Sequence, residues 1–170
     1  ESLPNNFCWQ GFVGTMDLSK ATKLKSIGEY AFYQCSSLEG PNALAFGDAL
    51  ATVGSYAFYK CSSLRGPLRL PTSLVTDGKY TLGARAFEGV TVNEIYYDLD
   101  IRSKKKPDGS YENSDMNHLI SSSSLHFEGK LTIGPSVVEI PNEMKFASGD
   151  YVIKQLEFAT DSKLRRIGNN

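Results

Sequence analysis

Hydrophobic and polar residues follow one pattern that is written twice in the first half of the chain. Residues 27–41 read IGEYAFYQCSSLEGP and residues 53–67 read VGSYAFYKCSSLRGP, an offset of 26 residues. A third copy around Phe87 places that residue 29 positions after Phe58. A fixed period of about 20 to 50 residues is typical of solenoid and array proteins. The chain is therefore predicted to be a repeat protein.

The same period extends towards the start of the chain. Carried backwards by 26 residues, it places Gly14 opposite Gly40 and Trp9 opposite Cys35. The first coil is therefore expected to be a partial copy of the second.

One stretch of each unit has the hydrophobic period of a β-strand. Leu64, Leu68 and Leu70 lie at even spacing, which puts them on one face of a strand. Arg65 and Arg69 then lie on the opposite, outward face.

A second stretch of the unit has the period of a helical turn. Ile27, Ala31 and Cys35 lie four residues apart, so they share one face of a helix. Ser26 and Glu29 have the spacing of a capping box, which marks the start of a helix. The sequence predicts a short helix or helical turn here.

Stacked units of this kind bury a continuous core that one unit cannot bury alone. The strands must be parallel, because the same elements recur in the same direction. The expected fold is an α/β solenoid of about six coils, with a curved parallel β-sheet on one side and short helical turns and loops on the other. Its core should contain a ladder of phenylalanines (Phe32, Phe58, Phe87) and a second ladder (Cys35, Cys61, Val90). Its strands are predicted near residues 12–18, 38–44, 64–70, 93–99, 127–133 and 152–158 of a single domain, 1–170.

Residues 100–124 interrupt the repeat. They are rich in Ser, Asn, Asp and Lys, and residues 107–109 form a Pro-Asp-Gly turn signal, so they are predicted to be an inserted loop or hairpin. The last unit stops at residues 167–170 in the middle of its pattern, which indicates a piece of a longer repeat protein.

Composition and charge exclude several classes of partner. The chain is 41% hydrophobic and 22% charged, which is ordinary for a soluble globular protein. Its net charge of −1 gives no electrostatic reason to expect nucleic acid or an acidic membrane surface as a partner. No apolar run is long enough to span a bilayer, so no membrane insertion by this segment is expected.

The cysteines have three possible roles. Cys35 and Cys61 suit a metal site, a disulfide or two small core residues, and the odd total of three cysteines excludes a complete disulfide framework. A metal site needs further ligands, but the two histidines, His118 and His126, lie in or beside the insertion. The core role is favoured, and no metal and no cofactor are expected.

The insertion carries two groups of candidate ligands. Its acidic and amide residues suit a Ca²⁺ site or a solvated loop, since no spacing matches an EF-hand: Asp98, Asp100, Asp108, Glu112, Asn113 and Asp115. Three lysines at 104–106 suit a phosphate or an anionic sugar, or simply an exposed loop tip.

Two histidine–carboxylate pairs raise the question of catalysis. The pairs are His118 with Asp115 and His126 with Glu128. The chain lacks a nucleophile elbow, a phosphate-binding loop and a zinc-hydrolase motif. No enzyme activity and no catalytic residue are predicted.

The outward face of the sheet is the remaining candidate site, because repeat proteins bind partners on such extended faces. Arg65, Arg69 and Tyr96 are residue types that anchor interfaces. The alternative is a face that is only solvated. Tyr33 and Tyr59, on the convex side, are expected to stack on each other. The candidate ligand-binding residues are Thr15, Asp17, Glu39, Arg65, Arg69, Glu94, Tyr96, Asp98, Lys130 and Gln155.

The repeated unit resembles the BspA-type leucine-rich repeat. The resemblance lies in the pattern L-x-x-I-G-x-x-A-F-x-x-C-x-x-L at residues 24–38, in its copies around Phe58 and Phe87, and in the sequence LTIGPSV at residues 131–137. It implies a leucine-rich repeat protein that is exposed on a cell surface or secreted and binds protein or glycan. The family has no common catalytic residue.

Three functional hypotheses follow. The first is a non-enzymatic binding or adhesion module that recognises protein or glycan through the outward face of the sheet. The alternative is a structural spacer or capping segment of a larger surface protein whose active part is elsewhere. The third is a targeting module attached to an enzyme.

Overall fold

The computed structural model describes residues 1–76, 79–98, 124–140, 147–148 and 151–167. The predicted insertion at 100–124 lies outside these residues apart from Ser124.

In the described part the helical segments are two 3₁₀ helices, Leu18–Lys20 and Thr72–Leu74. The strands are β1 (Ser2–Leu3), β2 (Gly14–Thr15), β3 (Ser26–Ile27), β4 (Leu38–Glu39), β5 (Thr52–Val53), β6 (Pro67–Arg69), β7 (Val75–Thr76), β8 (Lys79–Tyr80), β9 (Thr91–Tyr97), β10 (His126–Ile133), β11 (Glu139–Ile140), β12 (Ala147–Ser148), β13 (Tyr151–Phe158) and β14 (Arg166–Ile167).

Parallel strands run along two sides of the molecule. On one side β6, β9, β10 and β13 pair in parallel, with β12 antiparallel at the edge; we call this the long sheet. On the other side β1, β3 and β5 form a parallel ladder that Leu82 extends by a bridge to Val53. The chain passes through this ladder on four successive turns. The protein is thus a parallel β-solenoid of about four turns, which confirms the parallel sheet but not the expected number of about six coils.

Turns take the place of the predicted helical segments. Tyr30 and Gln34 both have φ of +56°, a left-handed conformation that no helix contains. The N–H groups of Tyr30, Phe32 and Gln34 donate to carbonyls of the next coil, at Ser55, Ala57 and Tyr59, over 2.7–3.0 Å. Backbone groups that would bond within a helix therefore bond between coils. The expected α/β character is not confirmed, because four-residue spacing also fits two consecutive turns.

The capping-box interpretation is wrong for the same reason. Ser26 lies in β3, where it pairs with Thr52 of β5. The N–H of Glu29 donates to Oδ1 of Asn5 in the preceding coil over 2.9 Å.

The spacing between coils changes along the solenoid. The predicted 26-residue offset holds between Ile27 and Val53, and the 29-residue offset holds between Val53 and Leu82. The first coil differs, because Gly14 pairs with Leu38, an offset of 24 residues. The register predicted for the first coil, with Gly14 opposite Gly40, is therefore wrong.

The core contains both predicted ladders. Phe58 stacks between Phe32 and Phe87, with ring centroids 5.2 and 5.5 Å apart. Cys35 and Cys61 are 1% and 0% exposed, and each thiol meets a backbone carbonyl of the preceding coil, on Cys8 and Phe32 respectively. These cysteines pack as small apolar residues, which confirms their core role.

A second set of rings covers the turns. Tyr33 and Tyr59 stack with centroids 4.9 Å apart, as predicted, and Tyr30 stacks on Tyr56 at 5.1 Å. Trp9 lies beside Tyr33 at 4.6 Å rather than opposite Cys35, in keeping with the shorter first coil.

The second coil interrupts the face of the solenoid. Its predicted strand at 38–44 is reduced to β4, just as the predicted strand at 12–18 of the first coil is reduced to β2. The positive φ at Gly40 (+141°) does not by itself explain this, because Gly66, with φ of +110°, directly precedes β6. A side chain at Gly40 would also collide with the backbone of Met16. Ala45 then returns to form a single bridge with Arg69 of β6. This interruption shapes the candidate site.

Candidate functional site

The long sheet presents two rows of outward side chains, while the alternate residues Leu68, Ile95 and Leu131 are buried below. Strand register defines the rows. The structure therefore brings five of the predicted residues onto one surface, Arg69, Glu94, Tyr96, Lys130 and Gln155. The first row is Pro67, Glu94, Lys130 and Gln155, and the second is Arg69, Tyr96, Thr132 and Glu157.

Lys130 occupies the middle of this surface because of a bulge. The pairing of β10 with both neighbours shifts at Gly129, which has no room for a side chain against Asn93. The ammonium of Lys130 lies 2.9 Å from Glu94 and 3.5 Å from Glu157. The hydrogen bond to Glu94 raises the pKa of Lys130 above its ordinary value. Its charge is thus neutralised within the sheet.

The polar side chains on the β13 side of the long sheet also bond with one another. Lys154 lies 2.8 Å from Glu128, and its hydrogen bond lowers the pKa of that carboxyl. Gln155 donates to the Glu157 carboxylate over 2.7 Å. These groups satisfy one another, so this part of the face offers a ligand few free charges.

Arg69 and Tyr96 form the opposite end of the second row. The guanidinium carbon of Arg69 lies 4.9 Å from the centroid of the Tyr96 ring, which is a cation–π contact. Burial raises the pKa of Tyr96, the Asp98 carboxylate adds to the rise, and Arg69 opposes it. Within the described part of the chain, Arg69 has no carboxylate within ion-pair distance. It is therefore a cation held in place by a ring rather than by an anion.

A groove of about 650 Å³ opens beside this pair, where the second coil leaves the sheet. Phe46, 4% exposed, closes its base and packs against Phe58 and Phe87 of the core. Pro67, Arg69, Glu94 and Tyr96 supply the sheet side. The facing side carries short polar groups, Ser19, Thr22, Asn42 and Asp48. The groove thus has a buried aromatic base at Phe46 and a polar rim that includes the ring of Tyr96.

The predicted residues of the first two coils lie outside the long sheet, although Asp17 accepts hydrogen bonds from Ser19 and Asn42 of the groove. Thr15 and Glu39 pair in the separate two-stranded β2–β4 sheet. Asp17 caps the 3₁₀ helix Leu18–Lys20 by accepting from the N–H of Ser19 over 3.0 Å. Hydrogen bonding from the Ser19 hydroxyl is the largest cause of its lowered pKa.

Two further predicted residues have backbone partners. Arg65 donates to the carbonyls of Ser62 and Leu64 over 2.6 and 2.8 Å, so its guanidinium braces its own coil. Asp98 accepts from the N–H of Ser136 over 2.6 Å and holds the turn that follows β10.

Sequence reasoning missed the polar side of the groove. Asn42, Phe46 and Asp48 belong to the stretch that alternation assigned to a continuous strand and the turn after it. The Gly-Pro pair at 40–41 and the Gly-Asp pair at 47–48 bracket the stretch, and both are turn signals. The Gly-Pro pair recurs at 66–67, where β6 begins, so it does not distinguish the second coil. The Gly-Asp pair at 47–48 has no counterpart in the third coil and was the available indication that the second coil differs.

The remaining candidate chemistry is sparse. Among the described residues, no three His, Cys, Asp or Glu side chains cluster closely enough to hold a metal ion. His126 is exposed, and its predicted partner Glu128 is engaged by Lys154. Several predicted ligands fall outside the described residues: the lysines at 104–106, His118, and Asp100, Asp108, Glu112, Asn113 and Asp115.

Comparison with known proteins identifies one family. The sequence model of the BspA-type leucine-rich repeat region, in six copies, matches residues 5–84 and 25–127, which is more than half of the chain. The chain matches none of the curated proteins and none of the solved structures with which it was compared. The described part contains no helix long and apolar enough to cross a membrane.

Proposed function

The chain belongs to the BspA-type leucine-rich repeat family, and we propose that it is a non-enzymatic binding module that recognises protein or glycan through the outward face of its long sheet. Repeat solenoids of this family are typically binding scaffolds, commonly in surface proteins. We accordingly propose a secreted or cell-surface location and an adhesive role.

One observation carries the proposal. The groove beside Arg69 and Tyr96 combines a rigid base, a ring and a cation that lacks a counter-charge within the described residues. Arg and Tyr are enriched among the residues that dominate binding energy. Holding the guanidinium on a ring also lowers the entropy lost when a ligand orders it.

A second candidate function is a structural spacer. The ion pairs of Lys130 and Lys154 favour it, because a face whose charges already neutralise one another is stable in water without a partner. The groove is the feature that a spacer would not need.

The test is a binding screen against arrayed glycans and extracellular-matrix proteins. The wild-type chain is compared with an Arg69→Ala/Tyr96→Ala variant and with Arg85→Ala as a matched control. Arg85 is an exposed arginine on the turn side, paired with Glu88 at 3.5 Å. Circular dichroism and melting temperature establish that all three proteins are folded.

We expect at least one partner whose binding is lost in the double variant and retained in Arg85→Ala. Binding that survives the double variant would move the site away from the long sheet. A folded wild-type chain with no partner on either array would favour the spacer.

A further inference from the structure

We propose that the groove beside Arg69 and Tyr96 binds a carboxylate-bearing sugar, such as a uronic acid residue of a polysaccharide, with the Arg69 guanidinium holding the carboxylate. The inference rests on the proposed function, because it names the ligand class of the same face. It depends on one difference: the other cations nearby have carboxylate or backbone partners, and the guanidinium of Arg69 has neither among the described residues.

Arg69 is the available cation of the described part of this face. Lys130 and Lys154 have carboxylate partners, and Arg65 donates to its own backbone. Arg69 has only the ring of Tyr96 beneath it. A guanidinium stacked on a ring retains edge N–H groups that can bind a carboxylate in bidentate fashion.

The rest of the groove fits a sugar ring. Thr22 can exchange hydrogen bonds with hydroxyl groups. Ser19 and Asn42 already donate to the Asp17 carboxylate, but their oxygens can still accept from a hydroxyl group. Asp48, which has no partner among the described residues, can accept from two adjacent hydroxyls. Tyr96 offers apolar surface to the C–H groups of the ring. The volume of about 650 Å³ lies in the usual range of small-ligand sites, about 300–1,000 Å³.

The groove therefore requires a ligand that carries both a carboxylate and hydroxyl groups. Arg69 requires an anion, whereas Asp48 requires hydrogen-bond donors and would repel a second anion. The negative charge of Glu94 is offset by Lys130 at 2.9 Å, a lysine that Glu94 shares with Glu157 at 3.5 Å. An acidic sugar places one carboxylate and several hydroxyls on one small ring.

A protein partner fits this face less well. A stable protein interface buries about 800 Å² on each side and has an apolar centre. Such a partner would have to cover the ion pairs of Lys130 and Lys154 beside the groove and desolvate them, which opposes binding. A sugar residue needs the groove alone.

Isothermal titration calorimetry tests the proposal with three probes: a galacturonic acid trimer, the neutral galactose trimer and an acidic peptide of glutamates. The variants are Arg69→Gln and Arg69→Lys. Arg65→Gln is the matched control, because it removes an arginine of the same coil whose guanidinium is already engaged. Melting temperatures confirm that each variant is folded.

We expect the acidic trimer to bind more tightly than the neutral trimer and the peptide, with affinity that falls as salt is added. Arg69→Gln should weaken binding by about 10-fold to 100-fold, as expected for a lost charge-assisted hydrogen bond. Arg69→Lys should recover only part of this loss, whereas Arg65→Gln should remain close to wild type.

Equal binding of the acidic and neutral trimers would overturn the role of the carboxylate. Binding of the peptide but neither sugar would overturn the ligand class, yet would leave the proposed binding face standing. An equal loss in Arg65→Gln and Arg69→Gln would show that net charge, and not this groove, is responsible. Absence of binding to all three probes would also overturn the inference, and the array screen then decides separately whether the face binds anything.

Discussion

Replacing Phe58 with alanine should remove the centre of the phenylalanine ladder. Phe58 is 0% exposed and stacks on Phe32 at 5.2 Å and on Phe87 at 5.5 Å, with Phe46 at 6.0 Å on its side. Its ring therefore joins the second, third and fourth coils to the base of the groove. Alanine leaves a cavity that these rings cannot fill without moving the coils themselves.

The expected loss in the free energy of unfolding is about 3–5 kcal/mol, as for other buried phenylalanines changed to alanine. Three aromatic contacts, each worth about 0.5–1.5 kcal/mol beyond buried area, place it in the upper part of that range. Since domains are stable by about 5–15 kcal/mol, the variant should still fold at low temperature and low denaturant.

Urea unfolding followed by circular dichroism measures this loss. Phe58→Leu, which refills much of the space, should lose less than Phe58→Ala. Val13→Ala is the surface control, because Val13 is 82% exposed and its truncation should change stability by no more than about 0.5 kcal/mol. A loss below about 1 kcal/mol in Phe58→Ala would refute the view that stacked rings hold the coils together.

Two titration predictions follow from burial and pairing. Lys154 lowers the pKa of Glu128, so the pair stabilises the fold above the ordinary carboxyl pKa and loses this contribution as pH falls through the lowered pKa. An NMR titration should show that pKa rising towards its ordinary value in Lys154→Gln, and an unchanged value would contradict the ion pair. Burial raises the pKa of the Cys61 thiol to about 12, so a thiol reagent at pH 8 should label Cys61 only after unfolding. Rapid labelling of Cys61 in the native protein would contradict its place in the core.

The sequence predicts the ladders well because the repeat itself specifies them. Residues at equal positions in successive units must stack when the units stack, so Phe32, Phe58 and Phe87 meet whatever the local backbone does. The same reasoning predicts the parallel strands. It depends only on the order of the elements, and that order is visible in the sequence.

The helical turns were predicted wrongly because spacing alone does not identify the bonding partner. Ile27, Ala31 and Cys35 share one face in a helix and also in two consecutive turns. What decides between them is the set of hydrogen bonds from Tyr30 and Gln34 to the next coil, and these bonds are non-local. A short helix bonds within itself, whereas these segments alternate local turn bonds, such as the one from the Tyr33 N–H to the Tyr30 carbonyl, with bonds to residues 25 positions further along the chain.

The sequence predicts the sheet side of the candidate site but not the side that faces it. Alternation placed Arg69, Glu94 and Tyr96 on the outward face, since they lie in regular strands. It could not show that the second coil leaves the sheet after β4, because that departure changes the backbone without breaking the hydrophobic pattern. The groove exists only through that departure.

The paired strands of the long sheet and the proposed binding groove therefore occupy different parts of this solenoid. Where β9, β10 and β13 pair, with the bulge at Gly129, each charged side chain meets a partner on the neighbouring strand, as Lys130 meets Glu94 and Glu157. On the side of β6 that faces the second coil, no strand lies beside Arg69 to carry such a partner. The backbone contact there is a single bridge to Ala45, whereas Arg69 pairs with Tyr96 of β9 on the other side. The interruption thus leaves Arg69 beside the groove without a carboxylate partner among the described residues. In repeat proteins of this kind, the irregular unit is where a ligand site should be sought first.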